Sequence, residues 1–398
     1  MNPVFFSKKI PSVQKILSLS SLNFKNIKSD SLVGLNFNKS FIIQKQNKNS
    51  NKNKQSSQYK KVLVICDKRF QSSPLLKNWR KNKQIKFYYV KSGELSKSLK
   101  QLPQHIQKIN SLLSDFDKKE ILFIGLGGGS IIDLTGFLAS IYKRGLPAVF
   151  IPSTWLSALD SAHGGKNALN FKSIKNLLGT YHFPKAVFIV EELLSQNPKA
   201  LEQQAYGELL KMAFIKGGSF YKKLKQSVFI KEKTHKNSNQ FNINPKTFIE
   251  QYLKEAIKSK MAIVKKDPFE TKGERKKLNL GHTVGHILEA ILDLPHGLAI
   301  LRALLFSLNW SYHQGFMSKK AYEEMKKLIL LKPMTENLNK IKAKQISLKE
   351  FKHYLRQDKK HKTGFKIDFI FIKKPGEVFI QAVSESDLIQ EAKRQALL

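Results

Sequence analysis

Residues 121–137, "ILFIGLGGGSIIDLTGF", decide the fold class: an apolar run meets three successive glycines and continues as a second apolar stretch. A short apolar run closed by glycine reads as a buried strand, and the stretch beyond the glycines reads as a helix. Strand, glycine turn and helix in that order can let bare backbone N–H groups approach a pyrophosphate at the positive end of the helix. A plain strand-to-helix turn has the same composition, so the turn alone leaves both readings open.

The same alternation extends to either side. "KKVLVICD" (60–67), "KFYYV" (86–90), "AVFIPS" (148–153) and "AVFIV" (186–190) are β-branched or aromatic runs separated by helical stretches. That pattern predicts a parallel α/β sheet. Beyond residue 192 the strands stop and amphipathic helices are predicted over 200–216, 245–265, 282–293 and 300–314. The predicted fold class is therefore an α/β N-terminal domain with a Rossmann-like parallel sheet, residues 59–195, followed by an all-helical C-terminal domain, residues 196–398. Late strands near 367–383, "IDFIFI" and "EVFIQAV", are expected to join a sheet edge.

Residues 1–58 differ in kind. "NKNSNKNKQSSQ" is a low-complexity polar linker, and Asp30 is the only acid in the whole segment. The opening "MNPVFFSKKIPSVQKILSLSSLNFK" is basic and serine-rich like an organelle-targeting peptide, but it contains no arginine. The segment is expected to be a largely disordered or partly docked basic extension, with residues 40–44 as an edge strand.

At 398 residues, 41% hydrophobic and 10% aromatic, the chain can bury two cores. Cys66 is the only cysteine, which excludes an intrachain disulfide and a cysteine zinc site; any metal must rest on His, Asp or Glu. A reducing, cytoplasmic setting is expected. No run approaches the roughly 18 apolar residues of a membrane helix, so no membrane partner is expected. The net charge of +40 is spread through every segment, without a zinc-finger pattern or an aromatic RNA-binding signature. It reads as a lysine-biased solvated surface that draws in an anionic substrate rather than a specific nucleic acid.

"NLGHTVGHILEA" (279–290) places His282 and His286 four residues apart, on one helix face. A zinc peptidase would carry a glutamate after the first histidine; Thr283 stands there instead, removing the general base of that reading. Whether both rings, one or neither holds a metal stays open on spacing alone.

Several short motifs occur in one order: Arg144-Gly145, Pro152-Ser153-Thr154, Asp160-Ser161, Gly164-Gly165-Lys166, Lys175-Asn176, Pro184-Lys185, "YGELLKMA" (206–213) and "GERKKLNLGHTVGHILEA" followed by "HGLA" (296–299). Over about residues 60–374 the chain thereby resembles the 3-dehydroquinate synthases, sugar-phosphate cyclases of the shikimate pathway. The resemblance implies NAD and a zinc or cobalt ion as cofactors, and a homodimer acting on 3-deoxy-D-arabino-heptulosonate 7-phosphate. It implies Glu208, His282 and His296 as metal ligands, with His286 handling a proton beside the substrate. Lys260 and Arg275 would face the substrate carboxylate, and Arg144, Asn176 and Lys359 its phosphate, with Arg144 reaching from a second subunit. Lys166, Lys175 and Lys211 would line the floor between nicotinamide and substrate, and Asn279 would hold a ring hydroxyl. Asp67, Gly93, Glu94, Lys97, Gly127, Gly128, Gly129, Ser130, Asp133, Ser153, Thr154 and Asp160 would bind the cofactor.

The chain departs from the family pattern at Ile132, where glycine is usual, and at Leu298, where glutamate is usual. Arg69 replaces a small polar residue near the cofactor ribose, and threonines on the adenine side are missing from "VEELLSQNP" (190–198). One residue is inserted between Glu270 and Arg275. These departures imply weaker NAD binding than the family norm. Another sugar-phosphate cyclase would alter the carboxylate and phosphate residues, a metal-dependent polyol dehydrogenase would use a metal aspartate, and a non-catalytic descendant would have lost metal ligands.

Overall fold

The computed structural model describes residues 2–20, 33–36, 59–172, 174–234, 243–332, 334–335, 346–357 and 366–398. The chain divides between Asn197 and Pro198 into two compact units.

The first unit contains strands β1 (Val4–Ser7), β2 (Val33–Asn36), β3 (Lys61–Asp67), β4 (Ile85–Val90), β5 (Ile121–Gly127), β6 (Ala148–Pro152), β7 (Lys166–Phe171), β8 (Ile174–Tyr181) and β9 (Ala186–Val190). Its helices are α1 (Val13–Ser20), α2 (Lys77–Arg80), α3 (Leu102–Leu113), α4 (Gly129–Ile141), α5 (Trp155–Leu159) and α6 (Glu191–Leu194). A 7-stranded sheet runs in the order β2-β1-β9-β6-β5-β3-β4, with every pairing parallel. Strands β5, β6 and β9 are buried at every residue. Both faces of a parallel sheet are covered, which is why these strands carry continuous apolar sequence instead of alternation. β7 and β8 form a separate antiparallel hairpin that lies against α4, where a Cβ on Gly136 would meet Asn167 Oδ1 at 1.8 Å.

Within residues 1–58 the described part docks on the first unit. β1 pairs with β9, Val4 opposite Val187 and Ser7 opposite Val190. Val13, Ile16 and Leu17 of α1 enter the same core as Trp79 and Phe188. The Trp79 indole donates to the Pro11 carbonyl at 2.9 Å, and the Ile10 N–H to Glu192 Oε2 at 3.2 Å. Averaging composition over the segment merged a polar linker with a short apolar head that has a sheet edge to bury against. The edge strand expected at 40–44 lies outside the described residues.

The second unit contains helices α7 (Lys199–Lys216), α8 (Gly218–Thr234), α9 (Pro245–Lys266), α10 (His282–Leu292), α11 (His296–His313), α12 (Lys319–Ile329) and α13 (Leu348–Gln357), then β10 (Lys366–Lys374), β11 (Glu377–Ser384) and α14 (Glu385–Arg394). The late strands do not join the large sheet: β10 and β11 pair antiparallel with each other. Their hairpin satisfies its own ladder and lays Phe369 and Phe371 on Trp310 of α11, with ring centroids 4.6 and 5.0 Å apart. Helix α7 is buried around its whole girth from Ala205 to Ile215, as befits a central helix. It touches α11 backbone to backbone. A Cβ on Gly207 would lie 2.3 Å from the Gly297 carbonyl oxygen, and one on Gly297 would lie 1.7 Å from that of Gln204. Among the described residues no helix is long and apolar enough to cross a membrane.

Candidate active site

In the second unit the close approach of α7 and α11 brings together the residues next to those glycines, Glu208 and His296. His282 comes from the first position of α10, where Gly281 serves as N-cap at φ 79, a left-handed conformation that favours glycine. Glu208 is fully buried. Its Oε1 lies 3.5 Å from His282 Nε2 and 3.3 Å from His296 Nε2, while Oε2 pairs with the Lys211 ammonium. The other nitrogen of each ring is anchored: His282 Nδ1 donates to the Leu280 carbonyl at 3.3 Å and His296 Nδ1 to Glu289 Oε2 at 3.1 Å.

Burial alone would raise the Glu208 carboxyl, but Lys211 and the His296 ring outweigh it and hold it well below the usual carboxylate range. Burial would likewise lower the His296 ring, yet Glu208 and Glu289 lift it to about 10. The protein has thus gathered negative charge where a positive centre belongs. One ligand atom from each of Glu208, His282 and His296 lies within 4.8 Å of the others. Both Glu208 oxygens are sealed from solvent, Oε2 against the Lys211 ammonium and Oε1 facing the two rings. A buried carboxylate oxygen facing two imidazoles whose distal nitrogens are fixed fits a divalent ion.

His286 stands outside this group. Its side chain is exposed, and its ring centroid lies 5.3 Å from that of His282 and 6.4 Å from that of His296. Lys260 and Arg275 are both buried. The Arg275 N–H helps to wind the loop before it around Asp267, whose carboxylate also accepts from the Thr271 and Lys272 N–H groups at 2.8 and 3.1 Å. In this loop Glu270 and Gly273 take φ of 59 and 80. Asn279 is exposed and donates to Glu270 Oε1 at 3.4 Å. Lys359 lies outside the described residues.

In the first unit the glycine turn joins β5 to α4. None of Gly127, Gly128 and Gly129 has positive φ, so the requirement there is space. A Cβ on Gly127 would lie 2.6 Å from the Ile131 side chain, and one on Gly129 would lie 3.0 Å from Ser161 Oγ. No side chain caps α4, and with the Ile131 and Ile132 N–H groups on the Gly128 carbonyl, those of Gly129 and Ser130 are the ones that can meet an anion. Beside the turn the Gly93 N–H donates to Ser130 Oγ at 3.0 Å. Lys97, buried, donates to Asp133 Oδ2 and Asn176 Oδ1, both at 2.8 Å, and sits 3.5 Å from Glu94. Burial opposes its charge, but Asp133 and Glu94 prevail and hold the ammonium above its ordinary range.

This lysine therefore draws Glu94, Asp133 and Asn176 into one network. The Asn176 amide oxygen is spoken for by Lys97. Lys166 and Lys175 are exposed on the β7–β8 hairpin, and Arg144 is exposed in the bend after α4 at φ 62. Thr154 caps α5, its hydroxyl accepting from the Ser157 N–H at 3.2 Å, and Asp160 follows that helix half-buried. Asp67 is buried and Ser153 wholly so; both are held by Arg69.

Sequence reasoning missed two participants. Glu289 falls on the stripe 282, 286, 289 of α10, a helical spacing that was legible. Asn170, whose side chain bonds Glu94 and the Asn176 N–H, carried no signal because it belongs to an unforeseen hairpin.

Comparison with known proteins bears on both units. Residues 87–204 match the family description "3-dehydroquinate synthase N-terminal" and residues 205–361 match "3-dehydroquinate synthase C-terminal". The chain is 31% identical over 344 residues to a 3-dehydroquinate synthase of Leptospira interrogans, covering 84% of this chain and 88% of that one. It is 34% identical over 322 residues to the 3-dehydroquinate synthase of Campylobacter hominis, covering 79% and 85%. Among solved structures, a 2-deoxy-scyllo-inosose synthase complexed with carbaglucose-6-phosphate, NAD+ and Co2+ has TM-score 0.70 at 21% identity, with 85% and 92% covered. A 2-epi-5-epi-valiolone synthase from Streptomyces hygroscopicus with NAD+ and Zn2+ bound has TM-score 0.66 at 19% identity, with 84% and 92% covered. These two likenesses speak for the fold. The sequence matches go further: because both family halves follow one another along it and its relatives are spanned over most of their length, the chain belongs to the 3-dehydroquinate synthase family.

Proposed function

We propose that the chain converts 3-deoxy-D-arabino-heptulosonate 7-phosphate to 3-dehydroquinate and phosphate, a carbon–oxygen lyase step of the shikimate pathway. One observation carries this reading: in a chain of this family, the buried Glu208 carboxylate is faced by His282 and His296 within reach of one ion. When bound, NAD+ accepts and returns one hydride, and a zinc or cobalt ion polarises the hydroxyl that gives it up. Glu208, His282 and His296 hold the ion. The Gly127–Asp133 turn, with Gly93, Glu94, Lys97, Asp67, Ser153, Thr154 and Asp160, holds the dinucleotide.

Exposed beside the ligand group, His286 moves the substrate hydroxyl's proton. Lys260 and Arg275 meet the substrate carboxylate, where arginine can bind through two N–H groups and lysine acts as a point charge. Arg144, Asn176 and Lys359 meet the phosphate, Asn176 after exchanging its bond to Lys97. Lys166, Lys175 and Lys211 supply further positive charge toward the anionic substrate, and Asn279 fixes a ring hydroxyl. Next to the oxidised carbon the substrate's C–H would be acidic; its proton would pass to an oxygen of the substrate's own phosphate, and the C–O bond to phosphate would break with the electron pair on the leaving oxygen. The ring would then open and reclose by intramolecular aldol addition, with no net oxidation over the turnover. The residues mainly position the substrate and stabilise its charges. Two copies are expected to pair, with Arg144 serving the neighbouring copy. The test is phosphate release from the heptulosonate phosphate: it should require both NAD+ and a divalent ion, and release independent of either would overturn the reading.

A further inference from the structure

Asp67 ends β3, Gly127 ends β5 and Ser153 follows β6, and β5 lies between β3 and β6 in the sheet. Arg69 spans that gap. Its Nε lies 3.3 Å from Asp67 Oδ2, and its Nη2 donates to the Ser153 carbonyl at 3.1 Å and hydroxyl at 2.6 Å. The Ser153 N–H in turn donates to the Gly127 carbonyl at 2.8 Å. The guanidinium therefore reaches from one neighbouring strand to the other across the carboxyl end of β5, beside the glycine turn. The Phe70 ring backs it at 4.6 Å, and its side chain remains 39% exposed.

An acidic residue at the end of the strand beside such a turn accepts from a cofactor ribose 2′-hydroxyl, whereas an arginine nearby accommodates a 2′-phosphate. Asp67 by itself would repel that phosphate. With Arg69 on its carboxylate the local charge is neutralised, and exposed Lys68 next in the chain adds another cation. A guanidinium fork also matches two phosphate oxygens better than an ammonium does. We propose that Arg69 is a specificity-determining residue that lets this chain bind a 2′-phosphorylated dinucleotide, NADP+, as well as NAD+. The bonds to Ser153 are exchanged for bonds to the 2′-phosphate on binding. This inference rests on the dinucleotide reading of the turn.

Calorimetric titration of the full-length protein with each dinucleotide tests both. In the unsubstituted protein the NADP+ dissociation constant should fall within about tenfold of that for NAD+. Arg69→Ser should shift the ratio of the two constants toward NAD+ by roughly 10- to 100-fold, the worth of a lost charge-assisted contact. Arg69→Lys, which keeps the charge and removes the fork, should give an intermediate ratio and guards against a folding failure in the serine variant. NAD+ binding without measurable NADP+ binding would overturn the proposal. So would an equal loss of both ligands in Arg69→Ser, which would put the guanidinium on the shared pyrophosphate. If neither dinucleotide binds the unsubstituted protein, the dinucleotide reading of the turn falls as well.

Discussion

A single oxygen, Glu208 Oε1, faces two imidazoles, and everything around it serves to fix their direction. His282→Ala should abolish both bound metal and turnover. His286→Ala should keep the metal and lose roughly 10²–10⁴ in turnover, the usual contribution of a positioned acid–base group; metal analysis showing equal loss in the two variants would make both rings ligands. Glu289→Gln should weaken metal affinity by about 10- to 100-fold, because the carboxylate that orients His296 Nδ1 is gone. Competition with a chromogenic chelator measures this without any assay of activity, and unchanged affinity would reduce Glu289 to a surface acid. At this scale the sequence was legible where a residue type and a motif agreed. Spacing could not divide the roles of His282 and His286, since helix geometry puts both on one face. Arg69 stood out as a departure, but its bond to Ser153 depends on sheet order, which no local pattern reveals.

The contact between α7 and α11 sets the distance between two of the three ligand candidates. Gly297→Ala would drive a Cβ into the backbone oxygen of Gln204, and no side-chain rotation relieves a clash with backbone. The helices must part, at a cost of about 1–3 kcal/mol or more, and metal binding should be lost with the spacing. Gly285→Ala is the control: its Cβ would meet only the tip of Ile300 at 2.9 Å, and alanine's better helix propensity offsets the adjustment. Thermal melts and zinc titration of the two variants should diverge; matching behaviour would show that helix spacing does not govern the site. Elements buried on both faces announced themselves as continuous apolar runs. The β7–β8 hairpin did not, because "KNALNFKSIKNLLGTY" is rich in lysine and asparagine and much of β8 faces solvent. The late strands were recognisable as strands, but their partners were not, since pairing each other or joining an edge leaves the same local pattern.

Across the whole molecule, the large sheet draws its strands from distant parts of the chain. Deleting residues 1–20 would strip Val4, Phe5, Val13, Ile16 and Leu17 from the core, each worth roughly 1.5–3 kcal/mol when fully buried. It would also expose the backbone ladder of β9. The truncated protein should precipitate, or melt about 10 °C or more below the full chain; an unchanged melt would show that the docked segment is ornamental. Its long-range pairing also carries a timetable. Ile10 and Glu192, which bond across the docked segment, are 182 residues apart. At about 5–20 residues per second of synthesis, β1 waits roughly 10–40 s for β9, one of its two neighbours in the sheet. Through that interval β1 can have β2 beside it but not β9, and Phe5 lacks the Phe188 ring that stacks on it, so a chaperone that shields this segment during synthesis should raise the yield of folded chain.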